Sequence, residues 1–207
     1  MNVTLMGEGL GRDAIASHLR QGAAVRLAVI EECLPAIVEA ADMMVRCLNA
    51  GGTVFFCGNG GSAADSQHLA AELVGRYQRD RRAMAAIALT TDTSVITAVG
   101  NDHSFASVFE RQVHALVRRG DVLVALSTSG QSESVVRAIA AARLQGATVI
   151  GMTGSDDSRV ASGADIAIRV PSTSTPFIQE AHIAIGHAIC GVVEATILTD
   201  PEVRPTV

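Results

Sequence analysis

Val122-Leu123-Val124-Ala125-Leu126-Ser127-Thr128-Ser129-Gly130-Gln131-Ser132-Glu133 is the stretch whose reading decides the fold. Val122 to Leu126 run apolar without interruption, which is the pattern of a strand buried on both faces of a parallel sheet. A hydroxyl-rich turn follows, and Glu133 to Gln145 then reads as a helix.

The same unit recurs on either side. Thr53 to Cys57 reads as a buried strand that ends in Gly58-Asn59-Gly60-Gly61-Ser62, with a helix from Ser62 to about Tyr77. Ala85 to Leu89, Ala147 to Met152 and Ile166 to Val170 read as further strands. Val95 to Val99 reads as a short helix, Ser104 to Arg118 as a longer one, and Phe177 to Leu198 as the last. Strands alternating with helices imply parallel pairing through right-handed crossovers. The expectation is an α/β fold: a three-layer αβα sandwich around a five-stranded parallel sheet of flavodoxin-like order, with ligands outside the C-terminal strand ends.

Upstream, apolar residues return at spacings of three and four: Leu27, Ile30, Leu34, Ile37, Val38, Ala41, Met44, Val45 and Leu48. That is the period of an amphipathic helix. Pro35 predicts a break, so two helices are expected before the first strand, closed by Asn49-Ala50-Gly51-Gly52. The expected organisation is a helical arm over residues 1–50, one domain over 51–200 and a tail over 201–207. An apolar stripe on such an arm needs a partner, and a second subunit would supply it.

Composition narrows the function. Apolar residues make up 48% of the chain, yet Trp is absent and Tyr occurs once, so the core is built from Ala, Val, Ile and Leu. The net charge is -5, and no basic stripe interleaved with aromatics argues for nucleic acid. Arg76, Arg79, Arg81 and Arg82 form a local basic run, read as a solvated helix end or as attraction for an anionic substrate. Cys33, Cys47, Cys57 and Cys190 show neither a C-x-x-C pair nor a disulfide-framework spacing, which fits a reducing cytoplasm. Met1 to Arg12 does not read as a signal peptide, and no apolar run is long enough for a membrane span.

Ser127, Thr128, Ser129 and Ser132 collect hydroxyls at the start of a helix, where free backbone N–H groups and the helix dipole favour an anion. Capping would account for one of these hydroxyls but not for a cluster. With no Walker or dinucleotide pattern present, a monophosphate is the expected anion. In the first turn, three glycines allow close backbone approach to a ligand, and Asn59 could bond substrate hydroxyls. A tight strand-to-helix turn would need the same glycines. On the helix that follows, His68 and Glu72 are four apart and share a face, with Asp65 one turn earlier. That spacing suits a surface pair, a reacting site or two ligands of a divalent metal. In the last helix, Gln179, Glu180, His182 and His187 interrupt an apolar series. Glu180 and His187 align most closely and Gln179 somewhat less, so periodicity leaves open which of them works with His187; His182 reads as a structural histidine.

Taken together, Cys57-Gly-Asn-Gly-Gly-Ser-Ala-Ala-Asp-Ser-Gln-His-Leu-Ala-Ala-Glu72, Val99-Gly-Asn-Asp102, Leu126-Ser-Thr-Ser-Gly-Gln-Ser132 and Ile178-Gln-Glu-Ala-His-Ile-Ala-Ile-Gly-His187 resemble the phosphoheptose isomerase family of the sugar isomerase (SIS) fold. The resemblance runs from about Ile30 to Leu198. It implies conversion of sedoheptulose 7-phosphate to D-glycero-D-manno-heptose 7-phosphate, with Glu72 as general base and His187 as general acid. It implies phosphate binding by Ser127, Thr128, Ser129 and Ser132, and sugar binding by Asn59, Gly60, Gly61, Asn101, Asp102 and Gln179. It further implies a zinc ion held by His68, Glu72, Gln179 and His187, and a cytoplasmic homotetramer with active sites between subunits. Two rival readings are a non-catalytic SIS-fold regulator that binds the replication initiator DnaA and an isomerase of another sugar phosphate. Glu72, His68 and His187 argue against the first, because such regulators lack the catalytic Glu and His.

Overall fold

A computed structural model of the chain describes residues 8–199; the expected tail, residues 201–207, lies outside the described residues. In chain order the elements are α1 (Glu8–Asn49), β1 (Val54–Gly58), α2 (Gly61–Val74), β2 (Ala86–Ala88), α3 (Thr93–Asp102), α4 (Glu110–Leu116), β3 (Val122–Leu126), α5 (Glu133–Gln145), β4 (Thr148–Thr153), α6 (Arg159–Gly163), β5 (Ile166–Arg169) and α7 (Thr175–Thr199). The sheet has five parallel strands in the order β2-β1-β3-β4-β5, the flavodoxin-like order expected.

Strand alternation sorts the core into two halves. Val54, Phe56, Val122, Val124, Ile150 and Met152 face a cluster built with α1, α2 and α7. Their neighbours Phe55, Cys57, Leu123, Ala125 and Val149 face a second cluster built with α4 and α5. All ten residues of β1 and β3 are buried, which is why both strands read as unbroken apolar runs.

The order reverses between β1 and β3: the chain leaves β1 toward β2 on one side and later returns to β3 on the other. Gly58 of β1 is level with Leu126 of β3. The glycine turn after β1 and the hydroxyl turn after β3 therefore emerge side by side, at the crevice such sheets use for ligands. Asn59 Nδ2 donates to Ser134 Oγ across 2.9 Å and ties the two together.

Two local expectations are corrected and one element is added. Pro35 does not divide the N-terminal segment, which is one helix of 42 residues. Pro35 lacks the N–H that would bond the Glu31 carbonyl, at a cost of about 3 kcal/mol. It lies on the exposed side, where water reaches that carbonyl, while Val29, Cys33, Ala40, Ala41 and Met44 are buried on either side of it. Each large apolar side chain buried this way contributes about 1.5–3 kcal/mol, so packing outweighs the lost bond. The predicted helix from Ser104 to Arg118 is broken into a 3-10 turn at Phe105–Ser107 and the short α4. It ends early because Val117 turns extended and Asp121 Oδ2 accepts the Arg118 N–H at 2.7 Å. The five-residue α6 was not expected, being too short to carry a periodicity; the Ser158 hydroxyl accepts the Ala161 N–H at its start.

Among the described residues no helix is long and apolar enough to cross a membrane. All four cysteines are free and buried.

Candidate active site

α2 and α7 lie against each other because two glycines allow it. A Cβ on Gly186 would sit 2.5 Å from Leu69 Cδ2, and one on Gly61 would sit 2.5 Å from the Gln179 amide nitrogen. This approach brings His68 of α2 to His187 of α7, with their Nε2 atoms 3.0 Å apart. His68 Nε2 is also 3.0 Å from Glu72 Oε1, one turn along α2. The three side chains each offer a ligand atom within a 4.8 Å span. Side-chain exposure is 48% at His68 and 22% at Glu72, so the cluster opens to solvent.

Two imidazole nitrogens and a carboxylate oxygen form the donor set of a catalytic zinc site, which keeps a further position open. The residues present therefore fit a divalent metal. Gln179 sits half-buried with its amide against Gly61, at the start of α2. Glu180 is turned away toward α1, where it accepts from Arg26 Nη1 at 3.0 Å and lies 3.1 Å from His18 Nε2. Of the two residues that periodicity left open, Glu180 clamps α1 and Gln179 faces the glycine turn.

Asp65, one turn before His68, has a buried Oδ2 with no hydrogen-bond partner. Burial pushes its carboxyl up, while His68 and His187 pull it down. His182 is fully buried, with Nε2 3.3 Å from the Thr153 carbonyl. Its contact is with the end of β4.

At the β3–α5 turn, Ser127 Oγ and Ser132 Oγ are 3.2 Å apart. The Gly130 N–H donates to Ser127 Oγ at 3.1 Å, and the Gln131 N–H donates to Ser129 Oγ at 3.3 Å. Gly130 adopts a positive φ of 62°, and a Cβ there would run into Ser158. Ser132 occupies the N-cap position of α5 but makes no side-chain capping bond. Its hydroxyl stays with the turn, which removes the capping explanation for that residue. Thr128 is half-buried in the same turn. Asn59, Gly60 and Gly61 form the neighbouring turn, and Asn101 and Asp102 lie exposed at the end of α3, with Asn101 Nδ2 donating to Asp102 Oδ1 at 2.8 Å.

Two features were not legible in the sequence. Tyr77 stacks on His187 with ring centroids 5.5 Å apart and planes at 25°. Arg81 is not part of a solvated helix end: its side chain is 1% exposed and faces Glu194, which is 3% exposed. Tyr77 is the one tyrosine of the chain, and that rarity was the available signal.

Comparison with known proteins identifies the group. The SIS domain family model matches residues 17–154. The chain is 60% identical to a phosphoheptose isomerase of Rhodospirillum rubrum over 79% of its length and 87% of the relative's. It is 49% identical to that of Aquifex aeolicus over 89% of its length and 97% of the relative's. The structure of phosphoheptose isomerase GmhA from Neisseria gonorrhoeae superimposes with a TM-score of 0.85 at 42% identity, covering 89% of this chain and 98% of that one. The fold thus agrees with the comparisons, and the chain belongs to the phosphoheptose isomerase family of SIS-domain proteins.

Proposed function

We propose that this enzyme converts sedoheptulose 7-phosphate to D-glycero-D-manno-heptose 7-phosphate, with Glu72 and His187 moving the protons. The observation that carries this assignment of roles is the meeting of a carboxylate with two imidazoles at 3.0 Å contacts across α2 and α7. Ketose-to-aldose conversion moves a proton from C1 to C2 and another from O1 to O2. Glu72 takes the C1 proton and returns it to C2. His187 supplies the proton to O2 and accepts the one from O1, as an imidazole near neutral pH can do in both directions.

The enediolate between the two steps carries negative charge that needs compensation. Zinc held by His68, Glu72, Gln179 and His187 would supply Lewis-acid polarisation of the two oxygens. The phosphate docks on Ser127, Thr128, Ser129 and Ser132 at the head of α5, where the helix dipole adds to the hydroxyl donors. Asn59, Gly60, Gly61, Gln179, Asn101 and Asp102 hold the sugar chain between. Phosphate binding, remote from C1, orients the reacting end.

On this reading residues 1–50 act as an oligomerisation arm and 51–200 as the isomerase domain of a cytoplasmic homotetramer. Ile15, Leu19, Leu27, Ile30, Leu34 and Val38 of α1 are exposed. A groove of about 200 Å³ between α1 and α7, lined in part by Ile30, Leu34, Ile37 and Ile185, offers a further apolar surface to a second copy.

The test is proton NMR of the purified enzyme with sedoheptulose 7-phosphate, with Glu72→Gln alongside. The expected result is the anomeric signal of the heptose 7-phosphate, lost in a variant that keeps its native circular dichroism. Near-normal turnover by Glu72→Gln would remove Glu72 from the mechanism.

A further inference from the structure

The segment that leaves α2 makes no regular secondary structure from Gly75 to Ala85, yet it is tied down by a buried ion pair. Glu194, two turns beyond His187 on α7 and 2% exposed, accepts three consecutive backbone N–H groups. Tyr77 donates to Oε2 at 2.9 Å, and Gln78 and Arg79 donate to Oε1 at 2.9 and 2.8 Å. Burial would push this carboxyl up, but those three donors and the Arg81 guanidinium outweigh it and hold the group below the usual range. Arg81 Nε lies 3.3 Å from Glu194 Oε2. The remaining guanidinium nitrogens turn to main-chain carbonyls: Glu72 at 2.6 Å, Leu73 at 2.8 Å, Arg82 at 2.9 Å and Gly75 at 3.2 Å.

These contacts have a direction. One end of the ion pair holds the carbonyl of Glu72, the residue assigned as base. The other end fixes the backbone of Tyr77, whose ring stacks on His187, the residue assigned as acid. The ring also lies on Gly191, one turn along α7, where a Cβ would come within 3.3 Å of Tyr77 Cε1. A buried ion pair is a poor source of stability, because desolvating both charges offsets their attraction. It is a good source of fixed geometry, and here two of the groups it fixes, the Glu72 carbonyl and the Tyr77 N–H, adjoin the two reacting residues.

We infer that Tyr77 is a positioning residue for His187, and that the Arg81–Glu194 pair holds the 75–82 strap that carries it. The inference rests on the assignment of Glu72 and His187 as the proton-moving pair. Its consequence is that loosening the strap slows the chemical step without weakening phosphate binding, since misplacing a reacting group can cost up to about a hundredfold in rate.

The chain has one Tyr and no Trp, so fluorescence excited beyond the phenylalanine absorption band comes from Tyr77 alone and reports the strap without any substrate. In Glu194→Gln, acrylamide is expected to quench that emission more strongly than in the wild-type enzyme, with far-UV circular dichroism unchanged. In kinetics, Tyr77→Leu and Glu194→Gln are each expected to lower kcat about tenfold or more while KM stays within about twofold. Tyr77→Phe, which keeps the ring, is expected to recover most of the loss. The double variant Tyr77→Leu with Glu194→Gln is expected to be no slower than the worse single variant, because both act through one contact. Unchanged quenching in a folded Glu194→Gln, equal losses in the Leu and Phe variants, or losses that multiply in the double variant would each overturn the inference. If Glu194→Gln does not fold, the Leu and Phe pair decides the matter alone. Absence of turnover by the wild-type enzyme would strike the assigned reaction instead, and the quenching comparison would still decide the strap.

Discussion

Replacing His182 by glutamine is expected to flatten the acid limb of the stability profile. His182 sits on α7 at 0% exposure, and its Nε2 meets the Thr153 carbonyl at 3.3 Å, a contact a glutamine amide can imitate. Burial, only partly offset by that carbonyl, pushes the imidazole down from 6.5 to about 4. The unfolded chain therefore binds a proton at this site from about pH 6.5 downward, and the folded protein binds it only near pH 4. Stability rises with pH wherever the unfolded state holds more protons, so this group costs nothing at neutral pH and a growing amount as pH falls through that window. At about 1.4 kcal/mol per pH unit, the gap between 6.5 and about 4 amounts to about 3 kcal/mol, or roughly 6–12 °C of melting temperature in a chain of this size. The assay is thermal melting of both proteins at matched concentration from about pH 7 to about pH 4. Every other titrating group, including Asp65 and Glu194, is common to both and cancels in the difference. Wild-type and variant curves that fall in parallel would refute the reasoning.

Ser127→Ala is expected to raise KM and the inhibition constant of inorganic phosphate by about tenfold or more, with a smaller change in kcat, because a hydrogen bond to a charged group contributes about 1.5–3 kcal/mol; steady-state kinetics with and without phosphate reads this. Added zinc is expected to raise the melting temperature of the wild-type protein by several degrees and that of His68→Ala with His187→Ala hardly at all, since a metal that binds only the folded state stabilises it by mass action; differential scanning fluorimetry is sufficient. The pair Ile30→Glu and Leu34→Glu is expected to lower the assembly mass in light scattering while circular dichroism stays native, and a wild-type monomer at micromolar concentration would count against subunit-shared sites.

Much of the fold could be read from the chain because buried parallel strands write themselves as uninterrupted apolar runs. β3 and α5 occupy the spans expected, Val122–Leu126 and Glu133–Gln145. What could not be read was decided by packing at a distance in sequence. The continuity of α1 through Pro35 depends on Cys33, whose thiol reaches the Arg169 carbonyl, and on Ala40 and Ala41 beyond it. The end of α4 depends on Asp121, which already serves the Thr53 N–H at 2.8 Å. Of the site, the chemistry-bearing residues stood out as polar interruptions on apolar helices. Their partners did not. Nothing local says that Glu180 turns to α1 and Gln179 to Gly61, or that an arginine in a basic run is buried against a glutamate 113 residues later.

The register between β1 and β3 fixes how the two turns stand against each other. On the proposed assignment the phosphate turn hangs from the end of β3, while Glu72 stands on α2, which packs on β1, and His187 on α7, which packs on α2. Gly58 stands opposite Leu126, and the Asn59–Ser134 bond braces the two turns just above. The height of one turn against the other is therefore set by main-chain pairing and not by any one side chain. Moving one turn against the other is then a matter of shifting a strand or rebuilding a turn, whereas changes confined to side chains leave that offset in place.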